Sequence, residues 1–385
     1  MSEAVRLPTF DSIKPPVPVT SRHFIQLSSA FFLGIAASLG ALASESPEKL
    51  GREAGGKESL GEATPPASST RPLIGAIRWD GWGNNCEVGR DCERVLSSSK
   101  YRHRAPFFVG SAGPELIKFK PLSQEIMDTE IGYAIHAGID YWAFDWYPPG
   151  SGMELARNFY LTSAKRQGLK WCVVLGTNPF DMNRDAPWLA AGFAKPEYQK
   201  VLDGRPLVYL FTPIARKDLA VLRDLSMKSC GKSPYVAMMG WTAAEAAQAC
   251  ETVGADAVSM YAGGMEKSWS DYSKLKEIIP NVGTGWDPTL FRDTHVAWYP
   301  RENIEKDFVG WSATPKQLVA SMESVFVWTR ANPGKVPANT ILVYTWNEHS
   351  EGGWLCPTFT PQGPNTERID ALHERLTGWN TVRGK

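Results

Sequence analysis

The stretch "YTWNEHSEGGW" (residues 344–354) places two carboxylates, Glu348 and Glu351, three residues apart where a run of β-branched and aromatic residues gives way to glycine. On a helical turn that spacing brings Cβ atoms to roughly 5 to 6 Å, so both acids can share one face. Two carboxyl groups in different environments supply both halves of glycosidic bond cleavage. One, with a raised pKa, protonates the leaving oxygen, and the other, ionised, supports the anomeric carbon or takes a proton from the attacking group. The plain structural alternative is that Glu348 caps the following turn and Glu351 is solvated.

Such a pair must be presented by a scaffold, and from residue 71 onward one arrangement recurs. A helical pattern, a glycine and a short apolar run appear in "IGYAIHAGIDYWAFDWY", "TSAKRQGLKWCVVLG" and "ACETVGADAVSMY", with Gly138, Gly168 and Gly254 expected to end helices in the left-handed conformation. The apolar runs are "LIGAIRW" (73–79), "YWAFDWY" (141–147), "WCVVLG" (171–176), "PLVYLF" (206–211), "YVAMMG" (235–240), "DAVSMY" (256–261), "NVGTGW" (281–286) and "TILVYTW" (340–346). Eight strands with interleaved helices predict a (β/α)8 TIM barrel over residues 71–385, closed by a helix at 364–378. An open doubly wound sheet would also alternate, but no Gly-rich dinucleotide turn follows the first run.

In such a barrel the reacting residues stand where strands end. The candidates are Asp80 and Trp82 after strand one, Asp145 and Tyr147 at strand two, and Asn178 after strand three. Trp241 follows strand five, Tyr261 strand six, Trp286 and Asp287 strand seven, and Asn347, Glu348 and Glu351 strand eight. We assign Glu348 and Glu351 as catalytic and Asp80, Trp82, Asp145, Tyr147, Asn178, Tyr261, Trp286, Asp287 and Asn347 as substrate-binding. Asp145 can equally cap a turn before Pro148, and the rim aromatics can simply pack. The list holds no nucleophilic serine with a histidine partner, and "GSAG" at 110–113 is not a nucleophile elbow. The histidines are scattered and no zinc spacing occurs, so neither a metal nor a cofactor is expected.

Composition agrees. Lys plus Arg (41) balance Asp plus Glu (41), so no global field points to nucleic acid or a membrane surface. Fifteen tryptophans suit a carbohydrate partner, whose C–H faces stack on indole, and equally a large aromatic core. The basic cluster "KYRHRAPFF" (100–108) is read either as a solvated loop face or as a recognition element for an anionic sugar.

"WNEHSEG", with Pro357 beyond it, resembles the strand-eight signature of glycoside hydrolase family 99 and of the related WbsX-like domains. "GAIRWDGW", "HAGIDYWAFDWY", "LKWCVVLGTN" and "YQKVLDGRPLVYLF" extend the likeness along strands one to four. The resemblance implies a (β/α)8 barrel and retaining cleavage through a 1,2-anhydro sugar, with Glu348 deprotonating the sugar 2-hydroxyl and Glu351 acting as general acid and then base. His349, Ser350 and Cys356 depart from the family pattern, so only the reaction class is carried over. Two other readings are a non-catalytic glycan-binding barrel and a WbsX-like polysaccharide-assembly protein. A complete acid pair argues against the first, and the lack of a nucleotide-sugar site against the second.

Ahead of the barrel, "FIQLSSAFFLGIAASLGALA" (24–43) fits a secretory signal cleaved before Ser44, with an uncleaved anchor as the alternative. Residues 44–70 read as a flexible linker, whose "GREAGGKE" fails as a phosphate loop because Glu58 replaces Ser or Thr. A secreted or periplasmic protein with no stable membrane association after cleavage is expected. Export permits disulfides, and Cys86–Cys92 and Cys230–Cys250 are the expected pairs, with Cys172 a buried thiol.

Overall fold

The computed structural model describes residues 70–82, 86–113, 116–262, 264, 266–299 and 304–381. The signal-like run, and the expected linker up to residue 69, lie outside them. Thr70, assigned to the linker by composition, pairs in parallel with Asn380 and ties the two ends of the domain together.

The strands are β1 (Leu73–Arg78), β2 (Tyr141–Asp145), β3 (Lys170–Leu175), β4 (Arg205–Leu210), β5 (Tyr235–Gly240), β6 (Ala257–Met260), β7 (Ile278–Ile279 and Asn281–Gly283) and β8 (Thr340–Tyr344). Each pairs in parallel with its chain neighbours, and β1 pairs with β8. The seventh strand closes the ring in two pieces, Ile278–Ile279 on β6 and Asn281–Gly283 on β8. Pro280 divides them, because it has no N–H to give a ladder, while its carbonyl still accepts from Leu342 N at 2.9 Å. The seventh strand therefore begins three residues before the apolar run that announced it. The result is a (β/α)8 barrel.

The helices are α1 (Glu87–Leu96), α2 (Gln124–His136), α3 (Leu155–Thr162), α4 (Asp185–Phe193), α5 (Arg216–Cys230), α6 (Ala243–Val253), α7 (Glu266–Leu275), α8 (Thr289–Asp293), α9 (Pro315–Ala331) and α10 (Glu367–Leu376). Local chemistry sets their ends. Reciprocal capping boxes start α6 (Thr242 with Glu245) and α9 (Thr314 with Gln317), and Gly254 ends α6 at a φ of 84° that a side chain would strain. Gly138 and Gly168 also have positive φ, but Gly168 sits in the turn before β3 because α3 stops at Thr162.

Strands covered on both faces read as unbroken apolar runs, and Trp142, Val173, Val208, Val236, Val258 and Leu342 are all fully buried. Inside the barrel the Tyr141 hydroxyl meets Tyr209 Oη at 2.8 Å and Thr340 Oγ1 at 2.9 Å. Any Cβ at position 75 would fall 2.2 Å from the Tyr141 ring, so β1 needs Gly75 there. A second, smaller cluster lies over one side of the barrel mouth, built from Trp82, α1, the Val109–Ala112/Ile117–Phe119 hairpin, and Leu290, Phe291, Val296 and Tyr299.

Cys92, Cys172, Cys230, Cys250 and Cys356 are free thiols. The expected Cys86–Cys92 bridge does not form because both residues belong to α1. Cys86 is its N-cap, accepting from Gly89 N at 3.3 Å, and Cys92 is buried within it. Six residues along a helix axis is about 9 Å, beyond the roughly 7 Å Cα separation a disulfide spans. Cys230 and Cys250 each donate to a carbonyl near their own helix end, Ser226 O and Ala255 O, at 3.3 Å. Cys172 is buried in β3.

Candidate active site

β8 leads through Thr345–Asn347 into a single 3-10 turn, His349–Glu351. The turn is closed by Glu351 N donating to Glu348 O at 2.9 Å, and Gly353 N reaches the same carbonyl at 3.2 Å. Residues i and i+3 eclipse on a 3-10 turn, so Glu348 and Glu351 project to the same side. Below the turn, Trp346 is anchored by its backbone N on Ile77 O (2.7 Å) and its indole Nε1 on Glu130 (2.9 Å). Glu130 is itself held by Arg78, with contacts of 2.5 and 3.1 Å, in a fully buried ion pair. The acid turn thus stands on a charged, hydrogen-bonded footing.

Glu348 is buried and receives a hydrogen bond from the Tyr261 hydroxyl at 3.0 Å, and the Tyr344 hydroxyl lies against the same carboxylate. Burial pushes its carboxyl up to about 7, and the two tyrosine hydroxyls restrain that rise because they favour the ionised form. Glu351 is raised well above the usual carboxylate range, by burial and then by the negative charge of Glu348. Asp145, at the end of β2, is also raised well above its ordinary value, by burial and then by Glu348, Asp80 and Glu351. The two tyrosine hydroxyls single out Glu348 as the acid best able to carry charge. Glu348 Oε2 and Asp145 Oδ1 are buried and accept no hydrogen bond from the described protein.

No protein-family model matches the sequence, and no curated protein matches it. Solved structures do. The GH99 endo-α-mannosidase from Bacteroides thetaiotaomicron in complex with BIS-TRIS-propane aligns with a TM-score of 0.53 at 15% identity, over 80% of this chain and 98% of that one. Another structure of the GH99 endo-α-mannosidase from the same organism aligns with a TM-score of 0.50 at 16% identity, over 80% and 97%. In fold, the chain resembles the GH99 endo-α-mannosidases.

On this GH99-like barrel several of the expected site residues converge. Asp145, Tyr147, Asn178 and Tyr261 gather around the acid turn. Asn178 lies beside Tyr147, whose hydroxyl is raised by burial and then by Asp145, Asp80 and Glu348. Trp286 stacks on Trp241 at 5.6 Å, and Trp241 meets the Tyr261 ring at 5.7 Å, so strands five, six and seven contribute one aromatic wall.

Other expected residues are engaged in the framework. Asp80 is bound by Arg78 at 2.9 Å and approached by Asn347 Nδ2 at 3.4 Å; burial lifts its carboxyl to about 6 against the pull of Arg78. Asn347 also accepts from Trp79 N at 2.9 Å, pinning strand eight to strand one. Trp82 is buried edge-on against Phe108, Phe119 and His349. Asp287 bonds Arg104 and Thr289, which outweigh the effect of burial and hold its carboxyl below the usual range.

Two neighbours of the acids were absent from the sequence reading. Tyr344 lies within β8, where alternation marks only burial, and Tyr299 lies beyond α8 in a segment with no strand-end signal. Both hydroxyls are raised, chiefly by burial and then by Glu348 and Glu351, which places them beside the pair. The basic cluster resolves into framework contacts. Arg104 pairs with Asp287, Arg102 donates to Gly113 O and Ser97 O, and Lys100 pairs with Asp293 at 2.9 Å.

Proposed function

We propose that this chain is a glycoside hydrolase that cleaves a poly- or oligosaccharide with Glu348 and Glu351. The observation that carries the reading is the shared turn. It holds a buried carboxyl, Glu348, beside a half-buried one, Glu351, with tyrosine hydroxyls against Glu348 alone, so the pair divides into one acid suited to ionise and one suited to keep its proton. The buried, unbonded oxygens of Glu348 and Asp145 are acceptors for sugar hydroxyls, and Trp286 with Trp241 offers a stacking wall.

In the proposed reaction Glu348 takes the proton of the sugar 2-hydroxyl. O2 attacks C1, the bond from C1 to the leaving oxygen breaks, and Glu351 passes its proton to that oxygen. Water then attacks C1 while Glu351 removes a proton from it. The C1–O2 bond of the 1,2-anhydro sugar opens, and Glu348 returns the proton to O2. Two inversions at C1 leave the anomeric configuration retained. Asp145, Tyr147, Asn178, Tyr261 and Trp286 bind the sugar, while Asp80, Trp82, Asp287 and Asn347 support the wall and turn that do so. The signal-like segment 24–43 directs the chain out of the cytoplasm.

The test is incubation of purified protein with a glycan panel and mass identification of released sugars. New reducing ends that vanish in Glu351→Gln support the reading, and a panel recovered intact with wild-type protein overturns it. For export, N-terminal sequencing of extracellular or periplasmic material should begin near Ser44; a full-length cytoplasmic product refutes it.

A further inference from the structure

The acid turn spans only three residues and closes with few hydrogen bonds of its own, yet it must hold two carboxyls against each other. On the side of the seventh strand, Asp287 N donates to Glu351 O at 2.6 Å. The approach is close enough that a Cβ on Gly352, whose φ is 82°, would fall 2.6 Å from that same nitrogen. On the side of the first strand's loop, His349 Nδ1 donates to Arg104 O at 2.7 Å. Arg104 then joins the two sides: its guanidinium donates to Asp287 O at 2.9 Å and forms an ion pair with the Asp287 carboxylate, lying over the Tyr101 ring at 5.0 Å. Thr289 donates to the other Asp287 oxygen through both its backbone N and its hydroxyl.

We propose that Arg104 and Asp287 form a positioning pair that grips the acid turn from both sides, through the backbone of Glu351 and the side chain of His349, and keeps Glu351 aimed at the leaving oxygen. The proposal rests on Glu351 being the proton donor. It gives the "KYRHRAPFF" segment a role other than contact with an anionic sugar, and it explains why Asp287 points to Arg104. Both residues are well shielded, with side chains 8% and 16% exposed, so their attraction is little screened and the clamp is stiff.

The decisive variant is Arg104→Gln/Asp287→Asn, which removes both charges and leaves the net charge unchanged. A shift in Glu351 then reports its placement and not a new field. Carbon-13 NMR of glutamate-labelled protein, assigned with Glu348→Gln and Glu351→Gln, follows the two carboxyls without any turnover. The expected result is a fall of about one unit in the Glu351 midpoint as water reaches a loosened turn. With glycan, kcat should drop about 10- to 100-fold at a nearly unchanged KM. A substrate with an activated leaving group should lose less than about threefold, since it needs little protonation. Arg104→Lys, which keeps the charge but cannot bridge carbonyl and carboxylate, should show the same pattern at smaller size, and it serves if the double variant does not fold. An unshifted Glu351 titration, or equal losses on both substrate types, overturns the clamp. Wild-type protein that cleaves no glycan would end the hydrolase reading, while the titration would still decide whether the pair places Glu351.

Discussion

Tyr261, at the end of the sixth strand, donates its hydroxyl to Glu348 Oε1 across 3.0 Å, joining positions 87 residues apart in the chain. Only the closed ring brings them into contact. The bond favours the ionised form of Glu348 and so works against the burial that would keep it protonated.

Tyr261→Phe should therefore raise the Glu348 pKa. A hydrogen bond to a charged group contributes about 1.5 to 3 kcal/mol, so kcat/KM near neutral pH should fall roughly 10- to 100-fold. The acidic limb of the pH–rate profile should move up by about one to two units. An unmoved limb would mean that Glu348 is not the ionised partner.

The two acids should respond differently to amide substitution. Glu351→Gln should lose most activity on natural glycan and less on a substrate whose leaving group departs unaided. Glu348→Gln should be impaired on both, because the attacking oxygen must be activated whatever departs. Kinetics on the two substrate types, with glycan binding measured alongside, check this. Equal behaviour of the variants would exchange or abolish the assigned roles.

The raised carboxyls also make a stability prediction. Glu348, Glu351 and Asp145 bind protons more tightly folded than unfolded. Their contribution is therefore fully present below the unfolded pKa of about 4 and is lost as pH rises through the folded values, near 7 for Glu348. Glu351→Gln should stabilise the fold at pH 7.5, on the order of 1 to 3 kcal/mol, and have little effect at pH 4. Urea unfolding at the two pH values is the measurement, and a gain of equal size at both would point to packing.

Beneath the turn, Glu130 accepts from Arg78 and from Trp346 Nε1. Glu130→Ala leaves the buried Arg78 guanidinium with Asp80 as its remaining carboxylate partner and Trp346 Nε1 without its acceptor, which costs about 1 to 3 kcal/mol. Denaturant unfolding should show a lower midpoint with an unchanged slope. A loss below about 1 kcal/mol would mean that water reaches Arg78.

Much of this protein is decided by local rules acting on neighbours in sequence. The periodic apolar runs, the helix stop at Gly254 and the capping threonines specify alternating strands and helices. The "NEHSE" spacing puts two acids on one turn, because a turn needs only four residues to form. What the chain could not show locally is which strand end faces which. The tyrosines that divide the roles of the acids come from strand six and from within strand eight, and Arg104 finds Asp287 across 183 positions. Cys86 and Cys92 look like a loop pair until α1 holds them on one axis, and Trp82 and Trp286 carry the same ring into a core and a wall. Residue type and spacing set what chemistry is available. Closure of the ring sets the burial, and with it the dielectric and the partners that tell one carboxyl from another.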